Sequence, residues 1–268
     1  MKEENLNEEV EKLLNKIDDN FITYLKKNDI SYRSVAQQSN TQYAELSRIG
    51  TREDRHAGLV LLLKCIYIFK IDLQILFPGD LFPYNKSGHL AQLENIVSTV
   101  DSSGRDFLMN FCDAYVKNIK FNSKKDVHMP TMLTLDEVVE GFLCEIDDNI
   151  LLLIGKLGLS RRKFCEIAHI EASTACRVLN RKKYHNHFGI KTILKIAYTF
   201  NFNPIILMPD CLKKNSLDIY FEDLLIGLDQ EKCEFLIEFC ESYVKEYHRL
   251  LEKFPEAPPK GMFTVALA

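Results

Sequence analysis

Tryptophan is absent from this chain and glycine is scarce, with 11 in 268 residues. Few segments alternate apolar and polar residues for long, so a sheet-rich fold is excluded and apolar residues recur mostly at helical spacing. The eight cysteines form no Cys-x-x-Cys pair and fall mostly at apolar positions of helical runs. They read as reduced core thiols of a cytoplasmic protein rather than a disulfide framework. A polar, acidic start (Lys2, Glu3, Glu4) argues against a signal peptide. The most apolar run, Leu59–Phe69, is too short for a bilayer and contains Lys64, so no membrane partner is expected. Positive charge is not in excess either: the formal net charge is −4. Phosphate contacts supply much of the affinity of DNA-binding domains, so any such surface must be local. Residues 1–125 hold 17 basic and 17 acidic side chains, and the remainder 17 and 21. No nucleophile elbow, phosphate loop or dinucleotide motif occurs, so no catalytic residues and no cofactor are assigned.

What is present is a repetition. Ile17-Asp18-Asp19-Asn20 returns as Ile146-Asp147-Asp148-Asn149. Phe107-Leu108-x-x-Phe111-Cys112-x-x-Tyr115-Val116-Lys117 returns as Phe235-Leu236-x-x-Phe239-Cys240-x-x-Tyr243-Val244-Lys245. Between these anchors Ser31, Arg33, Arg48 and His56 align with Ser160, Arg162, Arg177 and His185 at an offset of 129. Lys64, Tyr67, Phe69 and Pro78 align with Lys195, Tyr198, Phe200 and Pro209 at 131, and the final motif at 128. A repeat this long is a duplicated domain, not a solenoid element. The expected boundaries are 1–121 and 133–253, with a linker at 122–132 and a tail at 254–268. Pro255, Pro258 and Pro259 keep that tail from continuing the last helix.

Each half predicts the same succession of helices. Capping-box patterns, Asn5-x-x-Glu8 and Thr134-x-x-Glu137, open long helices that run to about Lys27 and Lys156. Leu13, Leu14, Ile17 and Phe21 form an apolar stripe on the first, and Leu143, Ile146 and Ile150 on its counterpart. Ser31 and Ser160 read as N-caps of short second helices. Tight turns follow near Asn40 and His169, then third helices at about 42–49 and 171–180. Leu59–Phe69 and Ile190–Phe200 are apolar on most sides and should be core helices. Short pieces ending at Pro78 and Pro209 come next, and each half closes with a helical pair.

This order is the helix-turn-helix arrangement. Ile30-Ser31-Tyr32-Arg33-Ser34-Val35-Ala36 and Leu46-Ser47-Arg48-Ile49 carry it in the first half. Leu159-Ser160-Arg161-Arg162-Lys163-Phe164-Cys165, Ser173-Thr174-Ala175-Cys176-Arg177-Val178 and Lys195-Ile196-Ala197 carry it in the second. Over about half of each repeat these residues resemble the lambda-repressor and Cro-like (XRE) family. The resemblance implies an all-α fold: two tandem helix-turn-helix domains, each extended by a C-terminal helical pair. The family's turn glycine is Asn40 and His169 here, residue types that enter the left-handed region more readily than most.

The resemblance also implies a sequence-specific, DNA-binding regulator of transcription with double-stranded DNA as partner. In the second motif the expected contacts are Ala172, Ser173, Thr174 and Arg177 on the recognition helix. Arg161, Arg162 and Lys163 precede it, Arg181, Lys182 and Lys183 follow it, and His185, His187 and Lys191 lie just beyond. In the first motif they are Gln42, Tyr43, Ser47 and Arg48, with Arg33 before and Arg52 after. Glu45, Glu53 and Asp54 dilute the first field, so the second motif is the stronger candidate. Solvated charge accounts for the same cations, and Tyr43 reads equally as a surface aromatic. Family members usually bind as symmetric dimers whose recognition helices lie one helical turn of DNA apart, ~34 Å. Two copies in one chain imply an intrachain pseudodimer, or self-association through the repeated final helices. Packing of the Phe-Leu-x-x-Phe-Cys stripe inside its own domain is the plainer reading.

Other chemistry is weaker. His185-Asn186-His187 near His169 and Cys165 lacks a known zinc spacing, so no metal is assigned. Asp18-Asp19 and Asp147-Asp148 point apart on their helices and cannot form a catalytic dyad; solvation and lysine neighbours explain them. The competing function is a non-enzymatic protein-interaction or dimerisation module that keeps the fold without DNA binding.

Overall fold

A computed structural model describes residues 3–51, 56–77, 88–119, 134–173, 175, 187–213 and 217–253. These residues are helical and joined by short turns, with no strand among them. None of the helices is long and apolar enough to cross a membrane. The first repeat supplies α1 (Glu3–Lys27), α2 (Tyr32–Ser39), α3 (Tyr43–Thr51), α4 (Leu59–Phe69), α5 (Leu73–Leu76), α6 (Gly88–Ser98) and α7 (Ser102–Ile119). The second supplies α8 (Leu135–Lys156), α9 (Arg161–Ile167) and α10 (Ile190–Phe200). Two 3-10 turns (Pro204–Leu207, Asp210–Leu212), α11 (Leu217–Leu225) and α12 (Gln230–Lys253) complete it. The expected linker and tail lie outside the described residues.

Local chemistry sets most helix ends. Ser31 and Ser160 cap α2 and α9, accepting the backbone N–H of Ser34 (3.1 Å) and Lys163 (3.2 Å). Thr134 and Glu137 form the expected capping box on α8. Asn5 does not cap α1. That helix already runs from Glu3, because Leu6 and Val10 are wholly buried and extend its apolar stripe by more than a turn. Left-handed residues recur at matched positions: Asp29 and Gly158, Asn40 and His169, Lys70 and Asn201.

The chain divides into two compact units that do not follow the repeat boundaries. One comprises Met1–Asn85 and Lys125–Gly227, the other Lys86–Lys124 and Leu228–Ala268. In the first unit the two repeats exchange their longest helices: α1 packs on α10, and α8 packs on α4. This is the isologous logic of a two-fold dimer inside one polypeptide. The cores are accordingly not separate. One apolar cluster runs from Leu6 and Phe21 through Leu62 and Leu63 to Ile150, Phe164 and Ile193. Tyr67 of α4 meets Phe142 of α8 edge-on at 5.8 Å.

The counterparts α6 and α11 belong to different units. α11 stays with the first, packed on the Pro204–Leu207 turn. Buried Glu222 accepts the Asn203 N–H at 2.7 Å, and the Lys156 ammonium pairs with Asp223. The chain leaves α11 at Gly227, where φ is +75° and a Cβ would lie 2.1 Å from the Lys156 carbonyl oxygen. Only glycine fits that turn.

In the second unit α6 packs on α7 and α12. Here the repeated aromatic stripe is not confined to its own repeat, and the plainer expectation is corrected. Phe107 stacks on Tyr243 at 4.7 Å, Phe111 on Phe239 at 3.5 Å and Tyr115 on Phe235 at 4.9 Å. Rising numbers on one helix meet falling numbers on the other, so α7 and α12 run antiparallel. Phe111 and Cys112 each meet their own repeat equivalents, Phe239 and Cys240 (sulfurs 3.9 Å apart), which marks the local pseudo-two-fold axis. Aromatics at spacing four form one stripe per helix, and two identical stripes satisfy each other when antiparallel.

Two measurements check this packing. A Phe111→Leu/Phe239→Leu double-mutant cycle in urea should give a coupling energy of about 0.5–1.5 kcal/mol, the usual worth of a stacked aromatic pair. Gly227→Ala should lower unfolding free energy by about 1–3 kcal/mol through forced backbone strain.

Candidate nucleic-acid interface

Both candidate motifs are built on the first unit. In the first repeat, Ser39 at the end of α2 is wholly buried, donating to the Val35 carbonyl at 2.6 Å and meeting Thr41 Oγ1 at 2.7 Å. Asn40 then turns through the left-handed region at φ 51°. Beneath the turn, the buried Lys64 of α4 donates to the Ser39 carbonyl at 3.0 Å and pairs with Asp136 at 2.7 Å. Lys64, a charged residue within the most apolar run, thus satisfies the end of α2. Gly50 admits the Tyr32 ring against α3, since a Cβ there would lie 2.6 Å from the Tyr32 hydroxyl.

Anchored in this way, α3 buries Leu46 and Ile49 and presents its other side to solvent. Gln42, Tyr43 and Arg48 are exposed, Tyr43 by 56 %, and Ser47 is half-buried. Arg33 is exposed on α2. Arg52 lies outside the described residues.

In the second repeat His169 takes the same left-handed turn at φ 50°. Phe164 and Cys165 anchor α9, with Phe164 stacked on Phe200 of α10 at 4.9 Å. Arg161, Arg162 and Lys163 are exposed on its first turn, and Lys163 lies 3.3 Å from Glu166. Beyond the turn, Ala172, Ser173 and Ala175 are helical; Ala175 is buried while Ala172 and Ser173 are exposed. Ser173 donates to Glu171 at 3.3 Å. Thr174, Arg177, Arg181, Lys182, Lys183 and His185 lie outside the described residues.

Two cations expected beside the second motif are engaged within the protein instead, His187 toward the core and Lys191 at the surface. His187 contacts Asp147 through Nδ1 (2.7 Å) and Glu140 through Nε2 (2.9 Å). Lys191 pairs with Glu11 across the repeats. The inward turn follows from the burial of Asp147, which is 0 % exposed and must be neutralised.

The same clamp occurs in the first repeat. His56 contacts Asp18 at 2.7 Å and Glu11 at 3.0 Å. Asp18 also accepts the Ala57 N–H at 3.0 Å, as Asp147 accepts that of Phe188 at 3.5 Å. The equivalent of His56 is therefore His187, at offset 131, and not His185. Burial raises the Asp18 carboxyl above its ordinary range, with the Ala57 and His56 hydrogen bonds opposing it. At His187 burial opposes the charged ring, but the Asp147 and Glu140 carboxylates outweigh it and the pKa is raised.

The clamp and its neighbours account for the Ile-Asp-Asp-Asn repeat. Ile17 and Ile146 are core residues. Asp18 and Asp147 hold the histidines. Asn20 donates to the Leu76 carbonyl (3.3 Å) and Asn149 to those of Leu207 (3.1 Å) and Met208 (3.2 Å). Solvation, the expected explanation of the Asp pairs, does not hold for Asp18 and Asp147. Their signal in the sequence was the matched recurrence of a histidine just before an apolar helix.

Asp147→Ala should cost about 3–5 kcal/mol in urea unfolding, because it removes the buried acceptor that His187 Nδ1 and the Phe188 N–H share. Asp148→Ala, at the exposed neighbouring position, should stay within about 0.5 kcal/mol of the parent.

Comparison with protein-family profiles, curated proteins and solved structures finds no match to this chain.

Proposed function

We propose that the chain is a cytoplasmic, non-enzymatic, sequence-specific DNA-binding regulator of transcription carrying two helix-turn-helix motifs. The observation that carries this reading is the construction of the α2–α3 and α9–Ala172 segments. Each buries a few apolar anchors, turns through a left-handed residue, and leaves polar or cationic side chains exposed on the following or preceding helix. A recognition helix needs such a rigidly seated back and a solvent-facing front to enter the major groove. Arg161, Arg162 and Lys163 favour the second motif, where they would contact phosphates while Ala172 and Ser173 approach base edges. In the first motif Gln42 would pair with adenine and Arg48 would hold the backbone.

Reciprocal packing of α1 on α10 and α8 on α4 supports a pseudodimer within one chain, suited to a near-palindromic operator. A second reading, a protein-holding module, draws on the formal net charge of −4.

Binding to a fluorescent duplex from the protein's own promoter region, over a salt series with unrelated duplex as competitor, separates the two. The regulator should bind with an affinity that falls with salt and resists competitor. Replacing Arg161, Arg162 and Lys163 by alanine should weaken binding across sequences and flatten the log–log salt slope by about 0.9 per lost phosphate contact. Absence of binding at low salt would reject the proposal in favour of a protein partner.

A further inference from the structure

Glu140 and Cys144 lie one turn apart on α8, so their side chains share a face. His187, distant in sequence, comes over them from the segment before α10. One carboxylate oxygen of Glu140, the Cys144 sulfur and a ring nitrogen of His187 all lie within 4.8 Å of one another. Donor atoms around a tetrahedral divalent ion stand roughly 3–4 Å apart, given metal–ligand bonds of about 2.0–2.3 Å. The trio is therefore within small side-chain movements of a coordination sphere.

We propose that Glu140, Cys144 and His187 form a binding site for a zinc-like divalent cation. Three features of the site converge on a metal of this class. The donor set is mixed, with one thiol, one imidazole and one carboxylate, which suits borderline ions over calcium or magnesium. The imidazole is oriented from behind: Asp147, wholly buried, lies 2.7 Å from Nδ1. With one ring proton held on Nδ1 by that carboxylate, Nε2 faces Glu140 at 2.9 Å and offers its lone pair to an ion once its own proton has left. A carboxylate behind a ligating histidine is the common second partner of zinc sites. Finally, Glu140 is exposed while Cys144 and His187 are half-buried, so an ion can enter from solvent and leave a fourth position for water.

The first repeat supplies an internal comparison. Glu11, His56 and Asp18 reproduce the clamp, but position 15 carries asparagine where the second repeat has Cys144. The clamp alone is a structural device; the cysteine distinguishes the second copy. One ion per chain is therefore expected, not two. Binding exchanges protons for metal: the Cys144 thiol loses its proton, and so does His187 when its ring is charged.

The test is titration of the purified, reduced, metal-stripped full chain with Co2+ followed by competition with Zn2+. One equivalent of Co2+ should give a thiolate-to-cobalt charge-transfer band that Zn2+ abolishes. Cys144→Ser should remove the band, whereas Cys211→Ser, altering an exposed cysteine elsewhere, should leave it. Asp147→Asn should weaken Zn2+ binding by about 10–100-fold. Should that variant fail to fold, Cys144→Ser at a half-buried position still decides the matter. A missing band in the parent chain, a band unchanged in Cys144→Ser, or two equivalents per chain would each overturn the proposal.

Discussion

A carboxylate in an apolar core must be met by donors, and each repeat places one there. Asp18 and Asp147 sit on the inner face of the first helix of their repeats, and each gathers a histidine and the next backbone N–H. Those donors lie immediately before α4 and α10. The contact therefore ties the entry of each core helix to the middle of α1 or α8. Losing the histidine would leave a buried charge, so the loop before the core helix has one acceptable position. Asn20 and Asn149 extend the same logic to the piece after the core helix. Two of the three polar residues in each Ile-Asp-Asp-Asn run, the first aspartate and the asparagine, thus set the frame on which the α2–α3 and α9 segments are carried.

Duplication explains why the frame is shared rather than doubled. Each repeat leaves apolar surface on its first and fourth helices. The other repeat covers it, α1 on α10 and α8 on α4, with one core cluster running through both. In the second unit the same relation appears at the level of single rings, where Phe111 meets Phe239 and Cys112 meets Cys240. Residues that meet their own equivalents are what a two-fold dimer interface contains. After duplication the copies were free to diverge at non-core positions. Asn15 against Cys144 is one such difference, and the different placements of α6 and α11 are another.

Local features were legible in the residues. The N-caps Ser31 and Ser160, the left-handed turns at Asn40 and His169, and the limits of α4 and α10 all depend on interactions within a few positions. So did the apolar stripes, since helical periodicity is a property of neighbours. Asn5 misled because its pattern is equally compatible with the interior of a helix that buried Leu6 extends. The alignment of His56 with His185 misled because a two-residue insertion precedes the histidine, and spacing alone cannot say on which side it falls. His187 and Lys191 looked like part of a cationic edge because sequence records charge but not direction; buried Asp147 turns His187 inward, and the opposite repeat's Glu11 pairs with Lys191 at the surface.

The sequence by itself determined the helices, their caps, the repeat and the all-α class, because each is written in short-range chemistry and period. Tertiary structure decided which repeat covers which apolar face, which aspartate of each Asp-Asp pair is buried, and that Glu140, Cys144 and His187 converge. Those outcomes depend on how surfaces far apart in the chain exclude water together, and no local pattern encodes the partner.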